Sequence, residues 1–290
     1  MAQYSISEVE ELTGIKAHTL RVWERRYDLI AAKRTDTKIR FYDDDQLKKL
    51  LNIGILLDNG YKVSKLNNMP NEEIDQKVYQ LLDDKNGSSA TEVQGLVSCM
   101  LSLDEPMFHK IYEGSVARIG VVKTVTDLIY PFLFKVGILW GANQSMPAQE
   151  HFVSNLIRRK IDSATNELDV APDSAGRVVL FLPESEFHEI GLLLANYISR
   201  QMGFRTYYLG QNVPNEDVVY VANEVNPDLI VTILIMWKDH FRESLKEIQF
   251  KTNCQIAIGG RLPQDMRDKK SMFMEFGHPD ELSEFLGTNK

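Results

Sequence analysis

The sequence predicts a multidomain chain. It combines a mostly α amino-terminal module, a four-helix bundle, and an α/β domain on a doubly wound parallel sheet. Three observations carry this reading. Basic residues crowd into one short amino-terminal stretch, helical apolar spacing runs unbroken from about residue 89 to 168, and short apolar runs alternate with helical segments after residue 176. A chain of 290 residues has room for two or three domains of ordinary size. The pattern divides it at 1–75, 88–168 and 177–290.

Residues 5–13 read as a short helix with Ile6, Val9 and Leu12 at helical spacing. Either Ser5 with Glu8 or Ser7 with Glu10 can supply its capping box. Gly14 ends it, and Lys16 to Arg26 reads as a second, basic helix after a tight turn. Arg34 to Tyr42 reads as a small hairpin with Asp36-Thr37-Lys38 at its tip. Asp43–Asp45 then opens a longer helix carrying Leu47, Leu50, Leu51, Ile53 and Leu57, with Gly60 placed to stop it. Residues 67–92 are polar and read as a linker holding one helix.

Four helical segments follow, near 90–102, 104–119, 121–142 and 147–168. Asp104 and Ser145 suit caps, and Pro106 and Pro147 fall in first turns. Short connections between amphipathic helices argue for a bundle. Asp169 to Gly176 is a second linker. Beyond it, strands are predicted at Arg177–Leu182, Arg205–Leu209, Leu229–Ile235, Gln255–Ile258 and Met272–Phe276, with helices between them. Ligands of such sheets bind beyond the carboxyl ends of the strands.

Charge narrows the partners. Residues 16–42 hold eight Lys and Arg against three acids, a local +5, while the whole chain carries −8 and the remainder therefore −13. A basic patch on an acidic chain is the electrostatic footprint of nucleic-acid binding. The acidic remainder repels DNA and confines contact to the amino-terminal end. Cys99 and Cys254 lie far apart without CxxC partners, so no disulfide framework is expected. The opening MAQYSISEVEE has charges where a signal peptide is apolar, and no run of about 18 uncharged apolar residues suggests a membrane span. A cytoplasmic chain is expected.

The first 70 residues resemble the MerR family of winged-helix transcription regulators. The carrying residues are Ile15-Lys16-Ala17-His18-Thr19-Leu20-Arg21-Val22-Trp23-Glu24-Arg25-Arg26-Tyr27, the wing ending Ile39-Arg40-Phe41-Tyr42, and Leu56-Leu57-Asp58-Asn59-Gly60-Tyr61. The resemblance implies binding to double-stranded promoter DNA through Lys16, His18, Thr19, Arg21, Trp23, Arg25 and Arg26 on the helix and Arg40 and Tyr42 on the wing. Arginines on one helix can meet both phosphates and base edges. Relatives with a comparable sensor carry a Gly-Gly-His-Arg type of wing, and this chain has Asp36-Thr37-Lys38-Ile39-Arg40 instead.

His188 stands on the loop leaving the first predicted strand, in Glu186-Phe187-His188-Glu189-Ile190-Gly191. An imidazole there can rise from the carboxyl edge of the sheet to meet a ligand. Glu186 can hold its other nitrogen, and Gly191 lets a large flat ligand approach the backbone. With Thr232-Ile233-Leu234 and Gly259-Gly260, this stretch resembles the Asp-x-His-x-x-Gly, Ser-x-Leu and Gly-Gly pattern of the Rossmann-like cobalamin-binding domain of methionine synthase and corrinoid carriers. The resemblance implies His188 as the lower ligand of cobalt, with Glu186 behind it. It also implies a displaced dimethylbenzimidazole tail lodged beside Thr232, Leu234, Gly259 and Gly260. Glu186 and Thr232 replace the family's Asp and Ser, keeping the functional groups.

Trp140, followed by Glu150-His151, is similar to a signature of light-sensing, adenosylcobalamin-dependent MerR repressors. By that likeness Trp140 stacks on the adenosyl group of adenosylcobalamin, and Glu150 and His151 line its pocket. Those relatives often carry His directly after the Trp, where this chain has Gly141. The expected activity is a cobalamin-responsive homo-oligomeric regulator, a photoreceptor by the same likeness. The alternatives are a regulator whose sensor takes another ligand or a protein partner, and a corrinoid carrier for methyl transfer. No nucleophile–base pair, phosphate loop or acid pair points to an enzyme.

Overall fold

The computed structural model describes residues 3–27, 30, 32–34, 40–83, 89–141, 147–260 and 273–288. They form two compact units, Met1–Leu156 and Ile157–Lys290.

In the first unit, helix α1 (Ile6–Thr13) starts at a capping box. Glu8 donates its backbone N–H to Ser5 Oγ, and the Ser5 N–H donates to Glu8 Oε2 at 2.6 Å, which resolves the choice of cap in favour of Ser5. Gly14, at φ 76°, supplies the left-handed residue that ends α1. Helix α2 (Ala17–Arg26) buries Leu20 and Trp23 against the module. Strands β1 (Lys33–Arg34) and β2 (Arg40–Phe41) pair antiparallel as the predicted wing, and its tip at 35–39 lies outside the described residues. A backbone bridge between Tyr4 and Tyr42 ties the wing's base to the start of the chain.

Helix α3 (Asp44–Asp58) begins at a second capping box, between Asp43 and Gln46. It buries Leu47, Leu50, Leu51, Ile53, Ile55 and Leu56. So broad an apolar surface needs cover on more than one side. Helices α4 (Val63–Leu66) and α5 (Asn71–Asp83) follow, then α6 (Ser89–Ser102), which packs on α3. The predicted cap Ser145 and the linker residues 84–88 fall outside the described residues.

The sequence expectation placed a boundary between residues 75 and 88, yet the helices on both sides share one compact unit. Polar contacts reinforce the shared core. Asn52 Nδ2 donates to Asp75 Oδ1 at 2.7 Å, and Ser98 donates to Asn52 Oδ1. Helix α7 (Glu105–Thr124) is capped by Asp104 and broken at Gly120, whose φ of 80° is non-helical. The predicted division between 119 and 121 stands at this residue. A π-helical stretch, Val125–Ile129, then leads into α8 (Tyr130–Gly141). The last two carbonyls of α1 receive donors from these helices: Lys135 Nζ reaches Leu12 O at 2.8 Å and Gln94 Nε2 reaches Thr13 O at 3.3 Å. Helix ends need such partners when covered.

Helix α9 (Pro147–Asn166) carries the chain into the second unit. There β3 (Arg177–Pro183), β4 (Arg205–Val213), β5 (Leu229–Leu234), β6 (Ile256–Gly260) and β7 (Met274–Phe276) form a parallel sheet in the order β4-β3-β5-β6-β7. Helices α10 (Ile190–Gln201), α11 (Asn215–Val225), α12 (His240–Thr252) and α13 (Pro279–Thr288) complete it. Every residue of β5 is buried, as expected of a central strand covered on both faces. Leu234, Ile230 and Ile258 pack with Val218 and Ala222 of α11 and Phe241, Leu245 and Ile248 of α12. Helices α10 and α13 contact each other.

Strand β4 runs to Val213, past the predicted end at Leu209. Gly210, at φ 83°, and Asn212, at φ 57°, accommodate a register shift that lets pairing with β3 resume. At the end of β6, Gly260 has a φ of 106°, and a Cβ there would fall on the backbone carbonyl of Leu234. Gly260→Ala is expected to cost about 1–3 kcal/mol, read as a lowered thermal midpoint. An unchanged midpoint would show that the strand end relaxes freely.

Candidate functional site

The amino-terminal module presents a basic face. His18, Arg21 and Arg25 are exposed on α2 at spacings of three and four, and so share one side of the helix. Arg26 is exposed beside them, Thr19 is half-buried with its hydroxyl 3.3 Å from His18 Nε2, and Lys16 pairs with Glu10 at 3.0 Å. Glu24 links this helix to the wing, accepting from Arg40 Nε at 2.8 Å, with Arg34 at 3.9 Å. Two expected contact residues need correction. Trp23 is buried in the module's core. Tyr42 is only 2% exposed, and its backbone is spent on the bridge to Tyr4. Both pack beneath the basic face.

In the second unit the turn after β3 builds a tight arrangement. Glu186 is 2% exposed. Its Oε1 accepts the backbone N–H groups of Phe187 and His188 at 2.9 and 3.0 Å and lies 2.5 Å from His188 Nδ1. Its Oε2 accepts the N–H of Met236, from the loop after β5, at 3.3 Å. Burial pushes this carboxyl up, but the hydrogen bonds from the His188 ring and backbone, the ring's charge and the Met236 N–H outweigh it, and the net value falls to about 2. Glu186 is therefore ionised at neutral pH and draws the proton to Nδ1. A metal bond from His188 would then be made through Nε2.

Around this carboxylate the surface is apolar. Phe187, Ile235 and Met236 are 58%, 40% and 59% exposed, while the His188 side chain is half-exposed. The loop is braced from two sides: Ser185 donates its N–H to Asn212 Oδ1 at 2.8 Å, and Lys238 Nζ reaches Ser185 O at 2.8 Å. Beside His188, Glu189 accepts from the Tyr208 hydroxyl at 2.8 Å and lies 2.6 Å from Arg158 Nη2. Sequence reasoning missed Asn212, Tyr208, Arg158 and Met236. Only Glu189, adjacent to His188, carried a signal in the sequence.

Glu186 is held below the ordinary value of 4.5, so the stability it confers is complete above that value and drains away as pH falls from there through about 2. Glu186→Gln is expected to flatten the loss of stability on acidification over that window. Denaturant midpoints across the acid range check this, and identical slopes for both proteins would overturn it.

The tail residues divide. Side chains alternate along a strand. Leu234 and Thr232 therefore share the α11–α12 face, while Ile233 points to the other face, where it meets Gly191 and Gly259. Of the expected grouping, Gly260 thus pairs with Leu234 in the ladder, on the Thr232 side, while Gly259 pairs with Ile233 on the other. The Thr232 hydroxyl is fully buried and has no hydrogen-bond partner among the described residues. In the first unit, Glu150 and His151 pair at 2.9 Å in the first turn of α9. The backbone of Trp140 and Gly141 ends α8, and the Trp140 side chain falls outside the described residues. Among the described residues, no cluster of three or more His, Cys, Asp or Glu could hold a metal, and no helix is long and apolar enough to cross a membrane.

Residues 4–72 match the MerR HTH family regulatory protein family, and residues 92–164 match the B12 binding domain family. The chain is 28% identical over 266 residues to the HTH-type transcriptional repressor CarH of Myxococcus xanthus, covering 89% of this chain and 88% of that protein. It is 25% identical over 231 residues to the HTH-type transcriptional repressor CarA of the same organism, covering 78% and 74%. Among solved structures it is similar to the monomethylamine corrinoid protein of Methanosarcina barkeri, at 18% identity and a TM-score of 0.38, covering 76% of this chain and all of that one.

Proposed function

Because this chain belongs to the MerR-family regulators that carry a B12-binding domain, we propose that it is a cytoplasmic, corrinoid-responsive transcription regulator whose ligand state sets its self-association and its affinity for promoter DNA. Its relatives CarH and CarA are named as transcriptional repressors and not as enzymes. One observation carries the ligand. His188 is held through Nδ1 by an ionised, buried Glu186 within an exposed apolar rim of Phe187, Ile235 and Met236. Half-exposed imidazole in an apolar rim suits a flat, largely apolar macrocycle with a metal at its centre.

In this reading His188 would hold the metal through Nε2. Glu186 fixes the ring's tautomer and orientation, and Asn212 and Lys238 hold the turn that carries both. The apolar rim excludes water from the macrocycle's edge. A bound corrinoid supplies a cobalt whose upper ligand can be gained or lost. Trp140, Glu150 and His151 are proposed as further cofactor-binding residues by the likeness given above, with adenosylcobalamin as the light-labile form. Arg21, Arg25, Arg26, His18, Thr19, Lys16 and Arg40 are proposed to meet DNA. Oligomer formation would multiply those contacts and make occupancy steeply dependent on assembly.

The test loads the full chain in the dark with adenosylcobalamin and, separately, with cobinamide, then desalts it. Corrin bands should co-elute with protein, and loaded and unloaded protein should differ in elution volume and in DNA affinity. Light should erase that difference for the adenosyl form. Retention of neither corrinoid would sink the proposal and leave a regulator answering to another ligand.

A further inference from the structure

Ile233, Gly259 and Phe276 form a row across three neighbouring strands on one face of the sheet. A Cβ on Gly259 would lie 2.6 Å from Ile233 Cδ1 and 2.6 Å from the Phe276 ring, and one on Gly191 would lie 2.9 Å from Ile233 Cγ2. The two glycines therefore open onto one slot between α10 and the sheet, and the chain's own Ile233 and Phe276 fill it. Both are buried, at 6% and 8% exposure. No hydroxyl from the Thr232 position reaches this face, because the pleat turns Thr232 away.

This packing bears on the ligand's chemistry. In a complete cobalamin the nucleotide base coordinates the lower face of cobalt, which is the position His188 would take. The base must leave cobalt and lodge elsewhere before an imidazole can replace it. Lodging between Gly191 and Gly259 would expel a buried aliphatic side chain, a displacement worth roughly tenfold or more in affinity. A corrinoid without the nucleotide tail has nothing to lodge, and its lower face is open to His188. We infer that Ile233 closes the tail slot of this domain and makes the chain selective for tail-less corrinoids of the cobinamide class over complete cobalamin. The inference rests on the corrinoid reading above.

The test is a spectral titration of the full chain with cobinamide and with hydroxocobalamin, for wild type, Ile233→Ala and Ile233→Val. Absorption bands report how tightly each corrinoid binds and whether the base has left cobalt. The wild type is expected to bind cobinamide roughly tenfold or more tightly than cobalamin. Ile233→Ala should narrow that gap by tightening cobalamin. Ile233→Val keeps most of the core volume and should move the gap part of the way, so the trend survives if the alanine variant is unstable. Equal binding of both by the wild type, with cobalamin's base displaced, would overturn the inference and leave the corrinoid reading standing. Binding of neither corrinoid by any of the three proteins would overturn both.

Discussion

Replacing Arg21 and Arg25 together by alanine is expected to abolish measurable promoter binding at physiological salt while leaving the fold intact. Both side chains are exposed on α2, and neither belongs to the module's core. An arginine that reads a base edge contributes about 1–3 kcal/mol, so two such losses lower affinity by roughly two to four orders of magnitude. Arginines that only meet phosphate would weaken all sequences alike and reduce the salt slope by about one per contact. Fluorescence anisotropy on random and on selected duplexes, repeated across salt, separates the two. Unchanged affinity and slope would remove α2 as the reading helix. Glu24→Ala offers a milder comparison, because it frees Arg40 from the recognition helix without deleting a basic group.

The second large effect is at His188. His188→Ala removes the ring that sits 2.5 Å from Glu186 Oε1, leaving a buried carboxylate with only backbone donors. Two consequences separate cleanly. Corrinoid affinity is expected to fall by roughly a hundredfold, most visibly for cobinamide, which carries no base of its own. Stability at neutral pH is expected to drop by about 1–3 kcal/mol even in protein never exposed to a corrinoid. Pairing the change with Glu186→Gln should recover most of the stability and none of the affinity. Retained cobinamide affinity in His188→Ala would show that the imidazole is not the metal's ligand.

Much of this was legible in the sequence because helices announce themselves. Ser5, Gly14, Asp43 and Asp104 act at the ends where their chemistry suits them, and Gly120 breaks the helix at the predicted point. The Glu186–His188 pair was legible because two residues along one turn are close whatever the rest of the chain does. The facing of Thr232 was not. In Leu229–Leu234 every residue is buried, so no alternation of polar and apolar residues marks which side chains share a face. Strand β4 was cut short for a related reason: the shift at Gly210 interrupts the apolar pattern while pairing continues. Trp23 and Tyr42 misled because an aromatic in a binding motif serves as readily by packing beneath the surface as by touching the partner.

The carbonyls of Leu12 and Thr13 depend on side chains that arrive from more than eighty residues away. The amino-terminal module is consequently a poor cassette. Cut at residue 75 and fused to a foreign sensor, it would lose the Lys135 and Gln94 donors that finish α1, and the cover that α6 gives α3. The turn that aims α2 would be left to solvent. Exchange of DNA-reading modules among regulators of this design should therefore succeed only when the junction falls after α8, so that reader and helical segment travel together.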